Sequence, residues 1–413
     1  IDQTSLSAVS LAGQVQFVLS LFISGIAAGA GIMAAQYWGK RDAASIEKVI
    51  PIALRTNLLF SGLFTILAGF CPEMLMRIFT NDAALVASGS QYLRAVALSY
   101  VLCGISQVYL ILLKNTGHAA VSSRISSTAV VLNIILNAIL IYGLCGAPAL
   151  GIRGAAYATV AARVVELIWA YLETKKPERV RILWNRLFSS AGKILSEDFW
   201  RYTLPVLAAS LVWGIAYVLY SVIMGHMGSD AVAANSITSI AKSLLSCLIR
   251  GVSGGAGVLI GNLLGANELE KAREYGGRLS HLSIAIGIVT GGLLMLISPA
   301  IVHFAPLSDT ADEYLQYMLL FCGLNLMAQS VNTTVLDGIF CAGGDAKFDM
   351  QGNIGAMWCF SVPLGFLAAF WLKLPVMVVY CIVNLDEIVK LPAVYHHYKK
   401  YIWVRNITRD VED

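Results

Sequence analysis

Charged residues are scarce in this chain. They make up 13% of its 413 residues, whereas soluble globular proteins average about 25%. Signatures of soluble enzymes are missing as well. The six histidines show no metal-ligand spacing with cysteines or carboxylates, and the sequence has no nucleophile elbow or phosphate-binding loop. Hydrophobic residues reach 57% and the mean hydropathy is +0.71, so the composition predicts an integral membrane protein.

Long apolar stretches account for most of the sequence. Eleven of them reach the roughly 20 residues that an α-helix needs to cross a bilayer, and they are too long for membrane β-strands. These stretches are Leu6–Tyr37, Ile52–Phe70, Tyr92–Leu113, Ile125–Tyr142, Gly154–Leu172, Leu204–Met224, Ala231–Leu264, Leu282–Phe304, Tyr314–Phe340, Ile354–Trp371 and Val376–Tyr395. The predicted fold is therefore an all-α integral membrane bundle of about 11 transmembrane helices.

Basic residues are distributed unequally between the connecting loops. The loops after odd-numbered spans, together with the C-terminal segment, hold most of the Lys and Arg, whereas the opposite side holds Arg77, Arg153 and Lys373. Because basic loops stay on the cytoplasmic side, we expect a multi-pass protein of the cell membrane with a cytoplasmic C-terminus and Ile1 outside. The segregated charge gives no indication of a nucleic-acid partner.

The sequence repeats itself at an offset of 226 residues. Leu6–Asp42 aligns without a gap with Val232–Glu268, and the four glycines from Gly25 to Gly39 all fall on glycines of the second copy. In the predicted topology both copies start and end on the same side, so the repeat is direct. Two copies of a long apolar unit are typical of transporters, whose two lobes enclose a site near the bilayer midplane.

The repeat predicts four regions along the chain. They are an N-terminal lobe at 1–173, a connector at 174–203, a C-terminal lobe at 204–395 and a basic tail at 396–413. The connector mixes basic and apolar side chains, which is typical of an amphipathic helix on an anionic membrane surface, although a simple tether is also compatible. Leu204–Met224 has no counterpart in the first half. We therefore expect the complete protein to have 12 helices, the first of which is missing here.

Small residues recur at four-residue spacing within the long spans. The pairs are Gly25/Gly29, Gly251/Gly255 and Gly257/Gly261. A dinucleotide-binding loop would need a preceding strand, and these glycines lie inside apolar helices. The spacing predicts close helix–helix packing.

Ionisable side chains within the spans are costly unless they are paired or face water. Arg163/Glu166 and Glu387/Lys390 are spaced i,i+3, which favours ion pairs on one helix face. Asp337 lies about one turn from the end of its span, where a solvated carboxylate is equally compatible. The polar candidates for a substrate or ion pathway, with two aromatic neighbours, are Gln16, Glu166, Trp213, Tyr217, Asn235, Lys242, Asn332 and Asp337.

Lys242 and Arg250 have no oppositely charged neighbour at helical spacing. The repeat places Gln16 and Ser24 at the equivalent positions of the first lobe. Because one lobe carries two charges that the other lacks, we expect Lys242 to face a polar cavity or a carboxylate, with Asp337, Asp386 and Glu387 as candidates in the same lobe.

The chain resembles the multidrug and toxic compound extrusion (MATE) family over nearly its whole length. The residues that carry the resemblance are Leu6–Ala12, Gly25–Asp42, Ala233–Gly265, Lys114–Gly117, Cys341–Asp345 with Lys347 and Phe348, Pro363–Gly365, and Asp386, Glu387 and Lys390 with the tail through Trp403. The resemblance implies two six-helix lobes around a central cavity. It also implies export of drugs or organic cations in exchange for Na⁺ or H⁺. The carboxylate that binds the coupling ion in many members would lie in the missing first helix.

We therefore interpret the chain as a monomeric secondary antiporter for small amphiphilic or cationic substrates. It would need no cofactor beyond the coupling ion, H⁺ or Na⁺. The main alternative is a lipid-linked oligosaccharide flippase of the same superfamily, because basic cavity residues such as Lys242 and Arg250 suit a pyrophosphate headgroup. A membrane-embedded enzyme is disfavoured, since no catalytic cluster lies at either end of the spans.

Overall fold

In the computed structural model, residues 3–146, 148–177, 179–182, 184, 187, 192–305 and 307–410 are described. These residues form helices joined by turns and short extended segments, and none of them lies in a β-strand. The chain forms two compact units. Unit 1 comprises Ile1–Trp38 and Asp42–Leu207, and unit 2 comprises Gly39–Arg41 and Ala208–Asp413. The boundary falls inside a continuous helix, four residues beyond the predicted connector.

Unit 1 is built on long helices that bury their apolar faces against one another. They are α1 (Gln3–Gly39), α2 (Ala43–Phe70), the short α3 (Pro72–Arg77), α4 (Ala83–Leu113), α5 (Ala119–Tyr142), α6 (Gly151–Thr174) and the first part of α7 (Lys193–Gly225). Between α4 and α5, Thr116 and Gly117 leave the helical conformation, and Gly117 takes a φ of +80°. A core of α1, α2 and α4 side chains, such as Leu19, Leu93 and Tyr100, supports the unit.

Unit 2 continues from the second part of α7. Its helices are α8 (Ser229–Gly265), α9 (Leu269–Phe304), α10 (Asp309–Thr333), α11 (Ala346–Asn353), α12 (Val362–Phe366), α13 (Val376–Val383) and α14 (Asp386–Tyr398). Wider, π-type turns extend α10 to Phe340 and flank α12. The segment after α14 packs onto the unit, where the Trp403 side chain is fully buried.

The helix boundaries reproduce the sequence repeat. α1 and α8 each have 37 residues and lie 226 positions apart at both ends. The starts of α2 and α9, and those of α4 and α10, differ by the same offset. The turns agree too, since Arg41 and Asn267 have φ values of 63° and 61°, and Gly117 and Gly344 have 80° and 74°. The repeat is therefore a repeat of structure, as the sequence predicts.

Nine helical segments within the described residues are long and apolar enough to cross a membrane. One of them, Leu98–Tyr142, includes all of the predicted span Ile125–Tyr142 and most of Tyr92–Leu113, which the non-helical Thr116 and Gly117 separate. The eleventh predicted span, Val376–Tyr395, is divided between α13 and α14 by a break at Asn384 and Leu385. The all-helical membrane fold is thus confirmed.

Close packing through small residues is confirmed at Gly25/Gly29 and at Gly257, where an added Cβ would lie 3.4 Å from the Gly338 carbonyl oxygen, and it is wrong at Gly251/Gly255. A Cβ on Gly25 would lie 2.9 Å from the Leu207 Cα, and one on Gly29 would lie 2.6 Å from the Thr203 Cα, so α1 and α7 approach through these glycines. At the equivalent Gly251 and Gly255, a Cβ would meet no atom within 4 Å. The reason is that both glycines lie on an exposed face of α8.

The predicted connector is only partly described. Its residues 175–177 and 179–182 form turns and extended chain, and Lys193–Thr203 is the first part of α7. Residues 178, 183, 185, 186 and 188–191 lie outside the described residues. A membrane-surface helix in this region stays a prediction.

Candidate functional site

Unit 2 contains a cavity of about 310 Å³ whose walls come from α7, α8, α10 and the α13–α14 region. Its polar and aromatic lining includes Trp213, Tyr217, Asn235, Lys242, Ser246, Arg250, Gln329, Asp386 and Glu387. Four of the predicted pathway residues therefore line the same cavity: Trp213, Tyr217, Asn235 and Lys242. The cavity combines aromatic rings, hydroxyls, amides and charges of both signs.

Lys242 extends from α8 into this cavity. Its Nζ donates a hydrogen bond to Oδ1 of Asn325 at 2.9 Å, and the side chain is half-buried. The prediction that Lys242 faces a polar cavity is confirmed by its surroundings, but its direct partner is a neutral amide rather than a carboxylate. An ammonium at membrane depth costs roughly 2.5–3.5 kcal/mol on insertion scales, and the polar cavity lowers that cost.

Arg250 lies two turns further along α8 and contacts the Trp213 ring. Its guanidinium carbon is 5.6 Å from the centre of the Trp213 ring. Trp213 and Tyr217 are stacked on successive turns of α7, with ring centres 5.5 Å apart. This cation–π contact is weak compared with a direct ion pair, so Arg250 keeps most of its hydrogen-bonding capacity.

A buried ionic network lies behind the cavity wall. Lys390 donates to Glu387 Oε1 at 3.1 Å and to Asn353 Oδ1 at 3.2 Å, and its Nζ is 3.8 Å from Asp386 Oδ2. Asn353 in turn donates to Asp349 Oδ1 at 3.1 Å. The predicted Glu387/Lys390 pair is confirmed, and it is part of a larger network of four ionisable groups.

The break between α13 and α14 positions this network. α13 ends at Val383, Asn384 caps it, and α14 begins at Asp386. The carboxylates of Asp386 and Glu387 therefore lie in the first turn of a helix, where backbone N–H groups and the helix dipole favour negative charge. Asn325 Nδ2 donates to the carbonyl oxygen of Asn384 at 2.6 Å, which compensates a backbone group freed by the break. Discontinuous helices of this kind bind ions or substrates in several transporter folds.

Unit 1 contains a cavity of about 220 Å³. It is lined by Gln16, Leu19, Ser20, Ile23, Ser24, Ser99, Tyr100, Cys103, Gln107 and Arg163. Behind this wall, Arg163 forms an ion pair with the buried Glu166, which also accepts a hydrogen bond from Ser106 Oγ at 3.3 Å. The predicted Arg163/Glu166 pair is confirmed, and both Gln16 and Arg163 reach this cavity.

The two cavities occupy equivalent positions of the repeat. Gln16, Ser20 and Ser24 of α1 correspond to the unit 2 lining residues Lys242, Ser246 and Arg250 of α8 at the offset of 226. Each unit thus uses the same face of the same helix to line a cavity. The chemistry differs, because the α1 wall is uncharged and the α8 wall carries two bases.

The remaining predicted site residues take other places. Asn332 is buried and donates to the Glu387 carboxylate at 2.7 Å, so it positions a cavity residue rather than lining the cavity. Asp337 lies in the π-type turn after α10, exposed, and it attracts Arg250 without direct contact.

Sequence reasoning missed Asn325, Asp349, Asn353 and Asn384. Each is a polar residue inside or next to an apolar span, and this position is the only feature of the sequence that could have indicated a role in the site. Their functional relevance depends on the helix break and on contacts between residues of different helices, which are 37 or more positions apart in sequence and which periodicity does not reveal.

Comparison with known proteins agrees with this architecture. The family model described as MatE matches residues 1–139 and 205–367. Two proteins of Bacillus subtilis (strain 168) are similar: the uncharacterized transporter YisQ is 21% identical over 98% of this chain and 88% of its own length, and the probable multidrug resistance protein YoeA is 22% identical over 99% and 88%. A MOP superfamily transporter from Pyrococcus furiosus has the same fold, with a TM-score of 0.87 at 20% identity over 97% of this chain and 88% of that one.

Proposed function

This chain belongs to the MatE family of membrane transporters, and from that premise we propose that it is a secondary active antiporter. It would export small amphiphilic solutes, drugs and organic cations among them, in exchange for H⁺ or Na⁺. The name of the similar YoeA, a probable multidrug resistance protein, supports this substrate range. The basic C-terminal tail would lie in the cytoplasm, as the distribution of Lys and Arg predicts.

The observation that carries the proposal is the pair of repeat-equivalent cavities, one in each unit. Each cavity lies beside a buried carboxylate that forms an ion pair with a basic residue. The pair is Glu166 with Arg163 in unit 1 and Glu387 with Lys390 in unit 2. Binding of H⁺ or Na⁺ to such a carboxylate weakens its ion pair. A change at the pair can then alter the neighbouring cavity wall, which supports coupling between ion binding and substrate release.

Accumulation of a fluorescent lipophilic cation tests the proposal. Cells that express the chain should accumulate less dye than cells with empty vector, and collapsing the H⁺ and Na⁺ gradients one at a time should show which gradient drives export. Replacing Glu387 with Gln should abolish gradient dependence if unit 2 carries the coupling ion, whereas Glu166→Gln should do so if unit 1 does. Equal accumulation in expressing and control cells across a broad panel of dyes would contradict secondary efflux.

Lipid-linked oligosaccharide flipping is the second candidate. Lys242 and Arg250 favour it, because basic side chains on a cavity wall suit a pyrophosphate headgroup. In that case a knockout strain should build up lipid-linked precursors while its sensitivity to toxic cations stays unchanged. The dye assay and the lipid analysis therefore give opposite results for the two functions.

A further inference from the structure

The α8 face of the unit 2 cavity forms a stripe of hydrogen-bond donors. Ser239, Lys242, Ser246 and Arg250 follow one another at three- or four-residue intervals, Ser243 lies four residues after Ser239, and all five line the cavity. Residues at these intervals lie on one side of a helix. Three hydroxyls and two basic groups therefore face the same space.

The positive charge on this wall is more accessible than the negative charge. Asp386 and Glu387 also line the cavity, but they are only 5% and 8% exposed. Lys390 lies close to both, and Asn332 donates to the second Glu387 oxygen, so both carboxylates are already engaged. Lys242, in contrast, donates to a neutral amide, and Arg250 rests on the Trp213 ring. Asp337 attracts Arg250 from a distance and does not occupy its hydrogen-bond donors.

An aromatic surface borders the basic stripe. Trp213 and Tyr217 stack on each other, and Arg250 bridges them to the hydroxyl-rich face of α8. A flat ring can stack on such a surface while an attached anionic group reaches the bases. Guanidinium and ammonium groups bind carboxylates and phosphates through charge-assisted hydrogen bonds.

We propose that the unit 2 cavity binds an oxyanion, a carboxylate or phosphate carried by an aromatic or amphiphilic molecule, and disfavours ligands that are purely cationic. Organic cations among the exported solutes would bind outside this cavity. This inference names a substrate class and rests on the proposed transport function. The repeat supplies the comparison, because the equivalent α1 wall in unit 1 has Gln16 and Ser24 in place of the two bases. The basic pair is therefore a property of one cavity and not a requirement of the shared scaffold.

Dye binding to the purified full chain tests the inference. The probes are fluorescein, which is anionic, and a cationic rhodamine ester, which has the same xanthene ring system. Binding is measured by fluorescence polarisation in neutral phosphatidylcholine nanodiscs. The variant Lys242→Gln/Arg250→Ser places the unit 1 side chains in the unit 2 cavity. Lys271→Gln, which removes an exposed lysine of α9 next to Glu268, controls for a general loss of positive charge.

We expect the wild-type chain to bind fluorescein more tightly than the rhodamine ester. The double variant should lose about tenfold or more in fluorescein affinity, as expected for the loss of charge-assisted contacts, and should keep or gain rhodamine affinity. Lys271→Gln should leave both affinities unchanged. If the double variant is poorly folded, the single Arg250→Ser, which removes an exposed side chain, should still shift the ratio of the two affinities in the same direction. Tighter rhodamine binding in the wild type, or an unchanged ratio in the variants, would overturn the inference.

The source of the oxyanion is settled by lipid competition. If phosphatidylglycerol in the nanodiscs displaces fluorescein from the wild type and not from the double variant, the site takes a lipid phosphate; if it does not, the site takes a soluble aromatic oxyanion. Transport separates this inference from the proposed function. Charge-selective binding without gradient-driven movement of either dye would contradict transport alone, whereas gradient-driven movement without charge-selective binding would contradict the oxyanion site alone.

Discussion

Lys242 and Asn325 join α8 to α10 through one hydrogen bond, in which Nζ donates to Oδ1 at 2.9 Å. The other end of the same amide donates to the carbonyl oxygen of Asn384, at the break between α13 and α14. Asn325 is 1% exposed, so water does not compete for either contact. A single side chain thus holds both the cavity ammonium and the interrupted helix in place.

Replacing Asn325 with Leu should destabilise the protein, because the Lys242 ammonium and the Asn384 carbonyl both lose their partner. Buried polar groups left unpaired cost about 1–3 kcal/mol, so the midpoint of thermal unfolding in detergent should fall. Asn325→Asp keeps an acceptor for Lys242 and loses the donor to Asn384, and its midpoint should lie between those of the wild type and Asn325→Leu. An unchanged midpoint for Asn325→Leu would show that the two contacts are dispensable.

Gly29 and Gly255 are equivalent in the repeat and should respond differently to alanine. A Cβ on Gly29 would approach the Thr203 Cα to 2.6 Å, so α1 and α7 must separate, at a cost of about 1–3 kcal/mol. A Cβ on Gly255 meets nothing within 4 Å, and alanine there gains up to about 1 kcal/mol in helix propensity. Unfolding midpoints of Gly29→Ala and Gly255→Ala measure the difference. The same shift in both variants would contradict the packing asymmetry.

Lys390→Met should be among the most destabilising substitutions in unit 2. It leaves the buried Asp386 and Glu387 without their contacting cation, and breaking a buried pair from one side typically costs about 3–5 kcal/mol. Arg278→Met, which breaks the half-exposed pair with Glu274, provides the comparison and should cost about 0–1 kcal/mol. Adding Glu387→Gln to Lys390→Met should restore part of the loss. A double variant no more stable than Lys390→Met would argue against the pairing.

Anchoring of the C-terminal segment should depend on pH. Nζ of Lys40 donates to Asp410 at 2.7 Å, and this hydrogen bond and the lysine charge lower the pKa of Asp410 below its ordinary value. A carboxylate with a lowered pKa favours the docked state above its ordinary pKa, and the contribution disappears as the pH falls through the lowered value. Hydrogen exchange of residues 405–410 should therefore quicken in acid, corrected for intrinsic exchange. Asp410→Asn should exchange faster at neutral pH and lose the acid-dependent change.

The repeat shows how far the sequence predicts this fold. Matching glycines in two apolar segments establish the offset, and the ends of α1 and α8 follow it, because helix boundaries depend on local residues. The break at Asn384 was not predictable in the same way. No proline or glycine marks the break. The hydrogen bond that satisfies the Asn384 carbonyl comes from Asn325, which is 59 positions away in sequence.

The candidate site was predictable in part for similar reasons. An isolated Lys242 in an apolar span indicates a polar environment on energetic grounds alone. Its partner could be a carboxylate, an amide or water, and only tertiary structure distinguishes these. The glycine pairs show the same limit of sequence reasoning. Gly25/Gly29 and Gly251/Gly255 have the same four-residue spacing, but the first pair packs tightly against a neighbouring helix and the second lies on an exposed helix face.

The equivalent walls at Gln16 and Lys242 also bear on how such a chain can change its ligands over evolutionary time. Once a cavity exists twice in one polypeptide, a substitution at one copy alters recognition there while the other copy retains its original chemistry. Positions 24 and 250 have already diverged from each other without disturbing the matching lengths of α1 and α8. Selection can therefore broaden the range of transported compounds one half at a time, and a laboratory can follow the same route by exchanging side chains between the halves.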